Sequence, residues 1–158
     1  LAIEGEIFSR LVTVDDGKIA ISVLSRDFIN GINATSDDMD NLSSLLMQIE
    51  SALCGMLLTE NTEKDNYRLS IRTREGSSAC NIGLLFDGGG HQRAAGGRIE
   101  GKLEDCIGRL IKAAREDMEK GIFFPAEIHE LHQRKNMLET HIQYRRVRVN
   151  RLRLRGAR

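Results

Sequence analysis

Apolar and polar positions alternate along residues 5–25, on both sides of Asp15-Asp16-Gly17-Lys18. Ile7 and Leu11 before this tetrapeptide, and Ile19, Ile21 and Val23 after it, predict two strands joined by a tight turn with Gly17 at positive φ. Thr35 and Asp38 form a capping-box pattern ahead of Met39, Leu42, Leu45, Leu46 and Ile49, a spacing that predicts an amphipathic helix. The run Leu53-Cys54-Gly55-Met56-Leu57-Leu58 is apolar at both parities and short, so it is expected as a central strand covered on both faces. Tyr67–Thr73 predicts another strand. Ser77 or Ser78 is placed to cap a short helix through Ile82, Leu85 and Phe86, and Arg98–Glu100 is expected to pair as a short strand.

The closing helix is the plainest element. Leu103, Cys106, Ile107, Leu110, Ile111, Ala114 and Met118 keep one apolar stripe, Glu104 and Asp105 occupy its first turn, and Lys120 then Gly121 end it. The order reads ββαββαβα, an α+β fold with helices packed on a small mixed β-sheet, followed by a basic C-terminal extension.

At 158 residues, with 41% apolar and 29% charged side chains, the chain suits one domain with a substantial core. It contains no apolar run of membrane-spanning length and does not open on a basic-then-apolar leader, so no membrane partner is expected. Cys54, Cys80 and Cys106 are odd in number and lack CxxC spacing. That argues against a disulfide scaffold or zinc finger and fits a reducing cytoplasm. The first residue is Leu1 rather than Met, which suggests a piece of a longer chain beginning at the end of an interdomain linker.

A formal net charge of zero conceals a split. Residues 1–124 carry 14 basic and 20 acidic side chains, whereas residues 125–158 carry nine basic and three acidic ones. Pro125 stands at the changeover, giving a folded domain over 1–124 and a basic helical or extended tail over 125–158. The tail's Arg145, Arg146, Arg148, Arg151, Arg153, Arg155 and Arg158 suit an arm that collects phosphates, or a poorly ordered terminus. His129 and His132, three residues apart, and His141 lack a third well-placed metal ligand and read as a solvated helix face.

Candidate chemistry concentrates at residues 87–97, Asp-Gly-Gly-Gly-His-Gln-Arg-Ala-Ala-Gly-Gly. Gly88, Gly89 and Gly90 offer no side chain to pack and cost backbone entropy, so close approach of a ligand or positive φ is expected there. Ala94, Ala95 and Gly96 are expected to begin a short helix, with the preceding amides, His91 and Arg93 forming an anion site. The segment lacks GK[ST] and fails GxGxxG spacing, so neither a P-loop nor a dinucleotide fold is indicated. Just upstream, Arg68, Ser70, Arg72 and Arg74 fall on one face of a strand and Tyr67, Leu69, Ile71 and Thr73 on the other. Arginines crowded on one face ask for an anionic partner.

The Ser70-Ile-Arg-Thr strand followed by Gly-Gly-Gly-His-x-x-Ala-Ala-Gly resembles the DHH-associated C-terminal domain of DHH phosphoesterases. That group contains nanoRNase/pAp-phosphatases, RecJ-type exonucleases and exopolyphosphatase-related proteins. The resemblance runs from about Ile32 to Met118 and includes Glu60 after the central strand. It implies that Gly88, Gly89, Gly90, His91 and Arg72 hold the phosphate or sugar of a nucleotide; Ser70 joins them from the strand face, with Arg93, Arg74 and Arg68 in a second tier. It also implies an N-terminal DHH catalytic domain in the same protein, holding two manganese ions in a site that includes an Asp-His-His run. No Asp-His-His occurs in these residues, so no catalytic or metal-binding residue is assigned to this chain.

The resulting expectation is a nucleic-acid- or nucleotide-phosphate-binding lobe of a phosphoesterase acting on short oligoribonucleotides or 3′-phosphoadenosine 5′-phosphate, with a homodimer possible. The alternatives are a freestanding nucleic-acid-binding or regulatory module that relies on the tail, a cyclic-dinucleotide phosphodiesterase domain, and the C-terminal domain of an alanyl-tRNA synthetase.

Overall fold

The computed structural model describes residues 2–123, with side chains described through Lys120. The basic tail, with its arginines and His129, His132 and His141, lies outside the described residues. The chain divides into two compact units, Leu1–Asp117 and Met118–Arg158. The first unit holds one six-stranded sheet in the order β1-β2-β3-β4-β6-β5. Its strands are β1 (Val12–Val14), β2 (Ile19–Leu24), β3 (Cys54–Glu60), β4 (Asn66–Thr73), β5 (Gly89–Gly90) and β6 (Ala94–Glu100). Only β2 and β3 run parallel; the other neighbours are antiparallel. The helices are α1 (Ala2–Ser9), α2 (Arg26–Gly31), α3 (Ala79–Leu84) and α4 (Leu103–Phe123). This is the α+β class expected, with a mixed sheet.

Several elements depart from the sequence reading. Ile7 lies in helix α1 rather than in a first strand, and β1 keeps only Val12–Val14. Ile3, Ile7 and Leu11 are four residues apart, a spacing that fits a helix face as well as alternation. The hairpin itself is as expected: Lys18 N donates to the Asp15 carbonyl at 3.1 Å, and Gly17 has φ 81°.

The capping box also forms. The Thr35 amide donates to Asp38 Oδ2 at 2.8 Å, and the Asp38 amide donates to Thr35 Oγ1 at 3.3 Å. The helix it was expected to start is instead two 3₁₀ turns, Asp37–Met39 and Leu42–Gln48, separated where Asn41 adopts left-handed φ 59°. Asn tolerates that conformation, and it ends the helical run. Tight packing fixes the second turn, because a Cβ on Gly55 would come within 2.7 Å of Leu46 Cβ.

β6 is the largest correction. Ala94, Ala95 and Gly96 form strand, not a helix start, paired to β4 from Arg72↔Ala94 through Asn66↔Glu100. Strand length and position are set by the two flanking edges, which override the weak strand propensity of Ala and Gly.

Register explains the shape of the sheet's two faces. One face carries Leu24 of β2, Gly55 and Leu57 of β3, then Arg68, Ser70 and Arg72 of β4 and Ala94, Gly96 and Arg98 of β6. A cluster of Ile7, Leu24, Ile29, Leu46 and Leu57 covers its β2–β3 half. The β4–β6–β5 half stays open. On the opposite face Met56, Leu58, Leu69, Ile71 and Ile99 are buried, as are Ile82 of α3 and Cys106, Leu110 and Ala114 of α4. Ser78 caps α3 by accepting from the Asn81 amide, as expected, and Asp117 of α4 accepts from the Ser78 amide at 2.7 Å.

Candidate anion-binding groove

The open half of the first face is a groove of about 680 Å³. Its floor is β4 and β6, one wall is the Met39–Ser43 segment, and its far rim is Asp87–Gly90. Small residues keep it low: Ser70 pairs with Gly96, and Arg72 pairs with Ala94.

Arg72 is half-buried and anchored. Its Nε donates to Ser43 Oγ at 3.2 Å, and its Nη2 donates to Asn41 Oδ1. Both partners come from the 3₁₀ segment, so the wall and the charge are one assembly. Arg68, Ser70 and Gly88–Gly90 also line the groove, together with Arg98. Arg98 was not singled out from sequence, and neither were Asn41 and Ser43. Reading residues 94–96 as strand would have placed Arg98 on the face of Ser70, two residues beyond Gly96. Asp40 and Asp87 line the same groove.

The remaining candidates lie elsewhere. Arg74 is not in the groove lining; its guanidinium donates to the carbonyls of Met47, Ile49 and Ala52 beneath the 3₁₀ segment. His91 and Arg93 are exposed on the β5–β6 hairpin, just outside the lining. The Thr73 amide donates to the Arg93 carbonyl at 3.1 Å.

The glycines do have packing value, contrary to the sequence reading. A Cβ on Gly88 would fall 1.9 Å from the Gly96 carbonyl oxygen, and one on Gly90 would fall 2.8 Å from that of Ala94. Gly90 also has φ 149°, where side chains are strained. The Gly88 amide donates to the Gly83 carbonyl at 2.9 Å and the His91 amide to the Ala94 carbonyl at 2.8 Å. Antiparallel bonds alternate, so Gly89 faces Gly96 in a bonded pair, whereas the Gly90 N–H turns away from β6 along the sheet edge. The expected cradle of several amides thus reduces to one outward-facing N–H beside a bare backbone.

Residues 11–120 match the DHHA1 domain. The chain belongs to the DHHA1 domain family. It is 35% identical over 83 residues to the bifunctional oligoribonuclease and PAP phosphatase NrnA of Thermus thermophilus, covering 52% of this chain and 25% of that protein. It is 33% identical over 76 residues to a 3′,5′-cyclic-nucleotide phosphodiesterase of Helicobacter pylori, covering 43% and 22%. The chain spans about a quarter of the length of these relatives. Its fold is shared with an exopolyphosphatase-related protein of Bacteroides fragilis, at TM-score 0.61 and 22% identity over 75% of this chain and 34% of that one.

Among the described residues of this DHHA1 domain, no three of His, Cys, Asp or Glu gather where a metal ion could sit. No helix among them is long and apolar enough to cross a membrane.

Proposed function

We propose that this DHHA1 domain is the nucleotide-phosphate-binding lobe of a DHH-type phosphoesterase acting on short oligoribonucleotides or adenosine 3′,5′-bisphosphate. One observation carries the reading: Arg72, fixed by Asn41 and Ser43, lies in one groove with the bare backbone of Gly88–Gly90 across a floor of small residues. A forked guanidinium with free N–H groups binds a phosphate through directed, charge-assisted bonds. The outward Gly90 N–H is the neutral donor, and His91, exposed on the adjoining hairpin, is a further donor just outside the lining. Ser70 provides a hydroxyl on the groove floor that a sugar could meet.

Chemistry on the bound nucleotide belongs to a partner catalytic domain, with manganese in its own ligand set. The names of the two curated relatives support a nucleotide substrate, and the NrnA match supports this choice of nucleotides.

Titrating adenosine 3′,5′-bisphosphate against the full chain and an Arg72→Ala variant tests the reading. Loss of one charge-assisted contact should weaken binding at least about tenfold. Equal affinity of the two proteins refutes it.

A further inference from the structure

Arg68 of β4 and Arg98 of β6 are direct cross-strand partners on the groove face. Like charges in that position oppose strand pairing. Both side chains are exposed, and among the described residues neither makes an ion pair or a side-chain hydrogen bond. The three half-buried arginines among the described residues contrast with them. Arg26 donates to the Glu60 and Asn61 carbonyls, Arg72 to Ser43 and Asn41, and Arg74 to three carbonyls. Two arginines in direct cross-strand register, exposed and without a side-chain partner among the described residues, form a position that an anion would complete.

We infer that Arg68 and Arg98 form a second anion position, which binds a phosphate of a single-stranded oligonucleotide whose other end lies at Arg72. This rests on the nucleotide-binding reading of the groove. Arg68 and Arg72 are four residues apart on one strand, about 13 Å along β4. Successive phosphorus atoms of a nucleic acid are six bonds apart, a reach of roughly 7 Å when three backbone bonds advance about 3.8 Å. The two positions are therefore two nucleotide steps apart, too far for the two phosphates of one nucleoside. Between them Ser70 and Gly96 leave a surface without bulk, on which an intervening sugar can lie against the backbone.

Asp40 and Asp87 select against a denser anion. They line the same groove, so a polyphosphate chain, charged at every second bond, would bring charge against carboxylates that a widely spaced sugar–phosphate chain avoids.

The test compares the full chain with an Arg68→Ala/Arg98→Ala double variant and with Arg72→Ala at one salt concentration, so that the basic residues 125–158 contribute equally throughout. The probes are adenosine 3′,5′-bisphosphate, the 5′-phosphorylated trinucleotide pApApA and inorganic tripolyphosphate. The parent should bind pApApA at least about tenfold tighter than the bisphosphate. The double variant should lose that advantage while its bisphosphate affinity stays within about twofold, and tripolyphosphate should bind the parent more weakly than pApApA.

A length advantage that survives in the double variant overturns the second position. Tripolyphosphate binding as tight as pApApA overturns the oligonucleotide assignment. If Arg72→Ala weakens every nucleotide but the double variant behaves as the parent, only this inference falls; if Arg72→Ala changes nothing, or the parent binds no nucleotide, both readings fall. Both arginines are exposed, and removing their repulsion should leave the melting temperature unchanged or raise it, which separates loss of binding from loss of fold.

Discussion

Gly88 lies so close to Gly96 that a β-carbon on the former would sit 1.9 Å from the carbonyl oxygen of the latter. Gly88, like Gly90, is thereby explained by contact between two stretches of backbone at the groove's rim. Gly88→Ala must displace one of them and should destabilise the domain by about 1–3 kcal/mol, the scale of overpacking. Gly89→Ala meets nothing closer than Leu84 Cδ2 at 3.6 Å and should cost less than about 1 kcal/mol. Urea unfolding of both variants checks the contrast.

Arg72 and Arg74, neighbours on one face by alternation, should separate by experiment. Arg74→Met removes donors from three carbonyls and is expected to lower stability by roughly 2–3 kcal/mol without changing nucleotide affinity. Arg72→Met should do the reverse, weakening nucleotide binding with a stability change under about 1 kcal/mol. Paired denaturation and binding titrations read both quantities.

Leu110 is fully buried in the α4 stripe. Leu110→Asp places an unpaired charge there and should remove about 3–5 kcal/mol of stability or prevent folding. An unchanged melting temperature would show that α4 presents another face to the sheet.

Stability should fall at both pH extremes for identifiable reasons. Burial pushes the Cys54 thiol up to about 12, with the Asp117 carboxylate adding to the effect and a Ser77 hydrogen bond opposing it. A raised pKa means that the contribution is whole below the thiol's ordinary 9.0 and is lost as pH rises from there toward 12. Burial likewise raises Tyr67 and Cys106. Between about pH 8 and about pH 10.5 the Cys54 part of the loss should be about 2 kcal/mol, and Cys54→Ala should remove it.

On the acid side, the hydrogen bond from Arg115 lowers Asp15, and the Thr35 amide lowers Asp38. Their contributions are present above 3.8 and vanish as pH falls below it. Asp38→Asn should flatten the acid limb of a pH–stability curve.

Hydrophobic pattern located β3, β4 and α4: β3 by a short run apolar at both parities, β4 by alternation and α4 by its helical stripe, whereas it leaves the α3 cap between Ser77 and Ser78, and the cap falls to Ser78. It misread Ile7, since positions four apart serve helix and strand alike. Ala94–Gly97 carry almost no pattern, and only the edges of β4 and β5 make them a strand. The same error concealed Arg98. The Arg68–Ser70–Arg72 face was legible from alternation, but Arg74 leaves it because carbonyls from residues 47–52 claim its guanidinium. Asn41 and Ser43 reach Arg72 from 31 and 29 residues away, a proximity that no local spacing encodes.

The tether from Asn41 and Ser43 makes Arg72 a preorganised ligand contact. Its rotamer is already restricted in the free protein, so a phosphate arriving there forgoes most of the ordering cost of about 0.5–1.5 kcal/mol that a free arginine incurs. Arg68 and Arg98 have no such restraint and must be ordered by the ligand itself. Contacts of the same charge on the same sheet should therefore differ in thermodynamic character: calorimetric titration should find a smaller entropic penalty for an anion held at Arg72 than for one held between the cross-strand pair.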